Sequence, residues 1–323
     1  MKILVAIYGN PAWTIPATYA EALGERFPEL TVAYAPDDAA LGREIVDTDI
    51  GFLGRLKPEL FATARRLRWI HSPAAGVGGL LYPQMVQSPV ILTNSRGIHA
   101  VGIAEHVIGV TLMLFRRFHM AMRRQFEHRF ATDELSVVRT LRGQRIGIVG
   151  LGAIGGTIAE TAAGLGMHVS AIRRNPGRPR PAAVDRLYPP ADLPDLLRES
   201  DVVVMAAPLT AETRGLIGAR ELRLMKRDAL LVNVARGKLV KEDELARELA
   251  AGTIAGAALD VFEHEPLDPA SPLWDLPNVI ITPHTSGFRG DYWDAVTDLF
   301  TENVRRFLRG DPLMNIVDKR AGY

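Results

Sequence analysis

The stretch Arg145 to Gly156, RIGIVGLGAIGG, constrains this chain more than any other. An apolar run holding Ile146, Ile148 and Val149 breaks into glycines. It resumes as a small-residue segment, Thr157 to Leu165, ahead of a second apolar run from Met167 to Ile172. Gly150, Gly152 and Gly155 stand at G-x-G-x-x-G spacing. The first permits a tight turn, the second lets backbone approach a pyrophosphate, and the third lets helix and strand pack closely. A helix opening there directs its unpaired N–H groups and positive dipole end at an anion, so a phosphate needs no side-chain charge to be held. Glycines so spaced also serve plain close packing in a βα turn. Here the flanking runs complete a βαβ unit of the size a dinucleotide requires.

Composition sets the outer bounds. A length of 323 residues predicts about two domains, and 47% hydrophobic with 23% charged residues is ordinary for a globular chain. The net charge of +1 gives no global attraction for nucleic acid or an anionic membrane, so neither is expected as a partner. The basic pairs Arg116–Arg117 and Arg123–Arg124 read as a solvated helix face or a subunit contact. The absence of cysteine excludes disulfides, thiolate metal sites and a cysteine nucleophile. Histidines 99, 106, 119 and 128 have no partners at metal-ligand spacing and are read as structural or surface residues, so no metal is expected. The run Ile3 to Ile7 reads as a first strand rather than a signal segment, and no apolar stretch approaches the ~20 residues of a membrane span. A soluble cytoplasmic protein is the expectation.

Along the chain, apolar runs alternate with helical stretches: strands at Ile3 to Ile7, Leu30 to Tyr34, Ile50 to Leu53, Arg68 to His71 and Val90 to Thr93, and a helix at Ala17 to Phe27. That rhythm predicts an open α/β sheet with crossover helices. The Gly/Ala loop Ser72 to Leu80 follows a strand, where open α/β sheets place ligands, and its N–H groups suit a carboxylate or form a plain turn. One long helix is expected from about Ile98 to Phe130, with Met113, Met120 and Met122 as core or interface filler. Asn175 to Pro190 reads as an exposed proline-rich loop. Four further strands then end in polar residues: Val202 to Met205, Ala229 to Val234, Ala255 to Val261 and Val279 to Ile281. Carboxyl ends of parallel strands form one rim, so Arg236, Glu265 and His284 are placed to converge there. Singly, each reads as well as a surface charge, a loop acid or a satisfied histidine. An amphipathic helix, Asp294 to Leu308, closes the chain.

The glycine turn, PLTAETRGLI, NVARG with Arg236, LDVFEHEPL with Glu265 and TPHTSG with His284, in this order, resemble the D-isomer-specific 2-hydroxyacid dehydrogenases over nearly the whole chain. The chain is most similar to the glyoxylate and hydroxypyruvate reductases. The resemblance implies two doubly wound parallel-sheet domains, Rossmann- and flavodoxin-like, with the active-site cleft between them. Residues 1–97 and 286–323 would form the substrate-binding domain, and 98–285 an inserted NAD(P)-binding domain. It implies Arg236, Glu265 and His284 as the catalytic trio. Backbone of Ala75, Gly76 and Val77, together with Arg236 and His284, would hold the substrate. Gly150, Gly152, Ala153, Ile154 and Gly155 would meet the pyrophosphate. Pro208, Thr213, Val234, Ala235, Asp260 and Gly287 would line the cofactor cleft, with Asp260 near the nicotinamide amide. The helix after Gly97 would join a homodimer. Chemistry independently calls for these residue types: imidazole titrates near pH ~6.5 and can give a proton to a developing alkoxide. A glutamate on the other ring nitrogen orients the ring and favours its charged form. A guanidinium matches a carboxylate in its planar fork and polarises the carbonyl.

The second strand ends in Arg173 and Arg174 where NAD-binding sequences usually carry an acid for the ribose 2′-hydroxyl. Two guanidiniums suit a 2′-phosphate, so NADP(H) is the preferred cofactor expected, with NAD(H) possible. Small 2-oxo acids of the glyoxylate and hydroxypyruvate type are the expected substrates. A bulkier one such as phenylpyruvate stays open if the Ser72 to Leu80 loop and Tyr292 or Trp293 shape an apolar pocket. A non-catalytic NAD(P)-sensing protein is the alternative of another class.

Overall fold

Buried apolar side chains alternate faces along nearly every strand, which is why the strands read as continuous apolar runs rather than as an in-and-out pattern. A computed structural model describes residues 1–9, 13–175, 179–320 and 322. The chain divides into two compact units, Met1–Ile98 with Gly290–Tyr323, and His99–Arg289. Each is an α/β unit built on one all-parallel sheet.

In the first unit β1 (Lys2–Ala6), β2 (Thr31–Tyr34), β3 (Ile50–Leu53), β4 (Trp69–Ser72) and β5 (Ile91–Asn94) lie in the order β2-β1-β3-β4-β5. Leu4 and Ala6 pack on one face, and Ile3, Val5 and Ile7 on the other. The closing helix Tyr292–Arg309 returns to the second face through Val296, Phe300 and Val304, with the Phe300 ring stacked 4.4 Å from that of Phe52. In the second unit β6 (Arg145–Val149), β7 (His168–Ile172), β8 (Arg186–Tyr188), β9 (Val202–Met205), β10 (Leu230–Asn233), β11 (Gly256–Leu259) and β12 (Val279–Ile281) are ordered β12-β11-β10-β9-β6-β7-β8. Strand order reverses between β6 and β9, the place where doubly wound sheets open a crevice at their carboxyl ends.

Two elements differ from the sequence reading. The expected single helix over 98–130 is two, Ala100–Phe115 and Phe118–Phe126, because Arg117 turns into the left-handed region (φ 55°). The Arg117 guanidinium donates to the Glu134 carbonyl and the His119 ring meets the Met113 carbonyl, so tertiary partners hold a break that no glycine or proline announces. The proline-rich segment 175–190 contains β8, paired in parallel with β7, because Tyr188 and Val184 are buried. Residues 176–178 of it lie outside the described residues. Among the described residues no helix is long and apolar enough to cross a membrane, and no group of three metal-ligating side chains gathers.

At the end of β4 sits His71, fully buried. The Trp69 indole N–H donates to Thr93 Oγ1 (2.8 Å), and the Ser95 hydroxyl donates to the Ser72 carbonyl (3.0 Å). The His71 ring therefore takes the Thr93 proton at Nδ1 (2.7 Å) and donates from Nε2 to Ser95 (3.1 Å), a neutral tautomer with both nitrogens satisfied. Burial pushes its pKa down to about 3. Below the ordinary histidine range the unfolded chain takes up a proton that folded His71 refuses, so stability falls as pH drops from ~6.5 toward the folded value, by ~1.4 kcal/mol per unit. His71→Gln keeps a donor and an acceptor but cannot titrate. Urea unfolding at about pH 7 and about pH 5 is expected to show the wild type losing ~2 kcal/mol more than the variant. Equal losses would remove His71 as the cause.

Candidate active site

The register of the strands decides what meets at the carboxyl rim of the second unit. Asn233 of β10 pairs with Leu259 of β11, which pairs with Ile281 of β12. The chain then leaves all three strands at one level. The buried Asn233 side chain folds over the β10 exit, its Nδ2 donating to the Arg236 carbonyl (3.1 Å) and its Oδ1 accepting from Ala235 N–H (3.2 Å). Gly237 follows, where a Cβ would lie 1.8 Å from the Phe262 carbonyl carbon, so only glycine lets the β10 and β11 exits cross so closely. The Arg236 side chain is exposed, its Nη1 donating to the Ala235 carbonyl (2.6 Å).

After β11, Glu265 turns back on its own loop, Oε1 accepting from Phe262 N–H at 3.0 Å. A reciprocal pair pins the same loop to the start of the helix Glu242–Ala250: Glu263 Oε1 accepts from Glu242 N–H (3.1 Å) and Glu242 Oε2 from Glu263 N–H (3.0 Å). Burial pushes the Glu242 carboxyl up. The second Glu265 oxygen, Oε2, lies 2.7 Å from His284 Nδ1. His284 adopts a left-handed backbone (φ 56°), uncommon outside glycine, and its N–H donates to the Asp260 carbonyl (2.9 Å). The Asp260 carboxylate, 1% exposed, accepts from Thr285 N–H (2.9 Å) and the Thr282 hydroxyl (2.6 Å) at Oδ1, and from Ser286 N–H (3.0 Å) at Oδ2.

Arg236, Glu265 and His284 thus line one recess of about 240 Å³ with Leu209, Gly237, Lys238, Phe262 and Glu263. It offers an imidazole held by a carboxylate beside a guanidinium, the elements needed to bind a carboxylate and move a proton to oxygen.

The glycine turn sits at the β6 exit, beside that of β9. Gly150 has φ 107°, and a Cβ there would meet Ala207 backbone at 2.6 Å, while one on Gly155 would lie 2.0 Å from the Gly150 carbonyl. Gly152 caps the helix Ala153–Gly164 with no side-chain cap bond and no protein atom within 4 Å of its Cβ position, and the N–H groups of the first turn, including Ala153 and Ile154, have no partner within the helix. This cradle fits a pyrophosphate. At the β7 exit, Arg173 Nε donates to the Asn175 carbonyl (2.8 Å), and Arg174 is exposed within electrostatic reach of Glu212. Thr213 spends its hydroxyl on its own turn, donating to the Pro208 carbonyl (2.7 Å) and accepting from Thr210 N–H (2.8 Å). Val234 is buried, and the Gly287 carbonyl is bonded by His99 Nδ1 (2.8 Å).

In the first unit, Ala75, Gly76 and Val77 lie on a loop pinned from outside. Asn94 Nδ2 donates to the Ala75 carbonyl (2.6 Å), Ser95 N–H to the Ala74 carbonyl (3.3 Å) and the Tyr292 hydroxyl to the Pro73 carbonyl (2.8 Å). Burial pushes the Tyr292 phenol well above its ordinary value. Sequence reading missed Asn233, Thr282 and these pins. The only signals available were that Asn233 and Thr282 stand at strand ends inside the motifs already singled out.

Residues 108–286, more than half of the chain, match the family model described as "D-isomer specific 2-hydroxyacid dehydrogenase, NAD binding domain". The glyoxylate reductase of Thermococcus gammatolerans is 34% identical over 324 residues, covering 95% of this chain and 94% of that protein. A D-isomer specific 2-hydroxyacid dehydrogenase from Xanthobacter autotrophicus Py2, solved in complex with NADPH and MES, superposes with a TM-score of 0.82 at 31% identity, covering 99% of both chains. The NADPH-dependent glyoxylate/hydroxypyruvate reductase of Sinorhizobium meliloti, solved with NADP and sulfate, gives a TM-score of 0.81 at 28% identity, covering 100% of both. With the family model and a near full-length relative agreeing on a fold already evident in its two parallel sheets, the chain belongs to the D-isomer-specific 2-hydroxyacid dehydrogenases, a family of NAD(P)-dependent enzymes.

Proposed function

We propose that the protein reduces small 2-oxo acids of the glyoxylate and hydroxypyruvate type to D-2-hydroxy acids, with NADPH as the preferred reductant. The observation that carries this reading is the 2.7 Å pair of His284 Nδ1 and Glu265 Oε2 on a recess shared with the Arg236 guanidinium. With Nδ1–H committed to Glu265, Nε2 is the nitrogen left to give a proton to the substrate oxygen. Arg236 pairs with the substrate carboxylate and polarises the adjacent carbonyl. Gly150, Gly152, Ala153, Ile154 and Gly155 hold the pyrophosphate, and Pro208, Thr213, Val234, Ala235 and Gly287 border the nicotinamide end. Asp260 stands near the nicotinamide amide and also holds the segment that carries His284. When bound, the nicotinamide supplies the hydride for C2.

Arg173 and Arg174 support the NADPH preference, as do the NADP and NADPH ligands of the two solved relatives. We place the protein in the cytoplasm as a homodimer. The dimer is supported by exposed apolar side chains along the two helices and the following segment: Val101, Phe118, Met122, Phe126, Phe130 and Val137.

Following absorbance with glyoxylate, hydroxypyruvate and phenylpyruvate tests the reaction. Saturable turnover is expected, reduced ~10²- to 10⁴-fold in His284→Ala. Cofactor binding without turnover on every acid would instead mark a sensor. Catalytic efficiency is expected to favour NADPH over NADH by about ten- to hundredfold per guanidinium contact, and Arg173→Asp to erase most of that margin. Equal efficiencies in the wild type would exclude the preference. Sedimentation is expected at twice the 35.4 kDa chain mass, with Phe126→Glu shifting the species toward one chain. A wild type that sediments as one chain at micromolar concentration would exclude the dimer.

A further inference from the structure

His106, on the helix Ala100–Phe115, is bonded toward the His284 turn by a route that the chemistry above does not use. Its Nε2 lies 3.3 Å from Thr282 Oγ1, and Thr282 Oγ1 lies 2.6 Å from Asp260 Oδ1. A hydroxyl has one proton. Facing an ionised carboxylate at the shorter distance, Thr282 donates to Asp260, so its oxygen can only accept from His106, whose proton must then sit on Nε2. Burial lowers the His106 pKa and the Asp260 charge pulls the other way, consistent with a neutral imidazole. Asp260 in turn holds the turn on which His284 stands. Its carboxylate takes Thr285 N–H and Ser286 N–H, and its carbonyl takes His284 N–H. The turn needs such holding because His284 has φ 56°, a conformation a non-glycine residue keeps only where its surroundings impose it.

We propose that His106 is a positioning residue for the reaction: donating through Thr282 to Asp260, it fixes the backbone frame that aims His284 between Glu265 and the substrate. The assignment rests on the reading of His284 as proton donor. His106 touches no reacting atom. It sets how often the imidazole is aimed, so its removal acts on kcat and leaves substrate and cofactor binding in place.

The test uses the full chain carrying His106→Leu, His106→Gln, Thr282→Val or Thr282→Ser. Losing one neutral hydrogen bond corresponds to about two- to tenfold, so kcat for glyoxylate is expected to fall by that factor in His106→Leu, with KM for glyoxylate and Kd for NADPH within about twofold. His106→Gln, whose amide still donates, restores most of the loss. Thr282→Val breaks both bonds and falls about ten- to hundredfold, while Thr282→Ser stays near the wild type. Adding His106→Leu to Thr282→Val costs nothing more, because the route is already cut. Nitrogen-15 NMR of the histidine rings, independent of turnover, is expected to show His106 as the Nε2–H tautomer and a displaced His284 signal in His106→Leu. Unchanged kcat in His106→Leu, equal impairment by Leu and Gln, or an Nδ1–H tautomer at His106 would each overturn the proposal. A wild type that reduces no 2-oxo acid would defeat the functional reading alone. The ring tautomer and the His284 signal would still decide whether the connection exists.

Discussion

The parallel register of β10, β11 and β12 is the constraint on which the site depends. Parallel strands end at one edge of their sheet, and the pairing of Asn233 with Leu259 and Leu259 with Ile281 brings three chain exits to a common level. The next main-chain bonds continue the ladder, with Asp260 N–H donating to the Asn233 carbonyl (3.0 Å) and Thr282 N–H to the Leu259 carbonyl (3.0 Å). A shift of one residue in either pairing would carry Asp260 or Thr282 off that level and turn the strand's apolar side chains onto the opposite apolar layers, losing the packing of both. Burial of those layers on both sides of the sheet is therefore what specifies the chemistry at its rim.

At that rim, buried polar groups do the positioning and exposed ones face the recess. Asp260 and Asn233 are nearly inaccessible, and each satisfies several backbone donors or acceptors of the loops that follow. A buried carboxylate left without such partners would be strongly destabilising, so its bonds also commit the 282–286 segment to one shape. Arg236 and His284 are exposed by comparison, and their backbones are already held before any ligand arrives. Preorganisation of this kind lets charge and proton transfer meet fixed partners rather than ordering them during the reaction.

How much was legible varies with the physical range of each signal. The glycine turn was readable because Gly150 and Gly155 answer a local steric demand, a positive φ and a helix packed against the turn, that leaves its mark on adjacent residues. Both sheets apart from β8 were readable because their other strands are short apolar runs set between turns and helices. The break at Arg117 was not, since it is held by side-chain bonds to main-chain carbonyls, Arg117 to Glu134 and His119 to Met113, that no residue pattern marks, and neither was β8, whose pairing rests on burial of Val184 and Tyr188 within a proline-rich stretch. The bonds of His71 and His106 were not legible either, because their partners come from other strands and loops, Thr93 and Ser95 for the first and Thr282 for the second.

By itself, then, the sequence determined the parallel α/β class, the turn suited to a pyrophosphate and the residue types Arg236, Glu265 and His284 at successive strand ends, because period, glycine spacing and strand-end chemistry are local properties. Only the tertiary structure decided that Glu265 lies 2.7 Å from the His284 ring, that Asp260 is spent on the turn carrying His284, and that His106 reaches it through Thr282. Those bonds join residues separated by 19 to 176 positions, and no local rule sets distances across such gaps. Strand register and the packing of helix on sheet do.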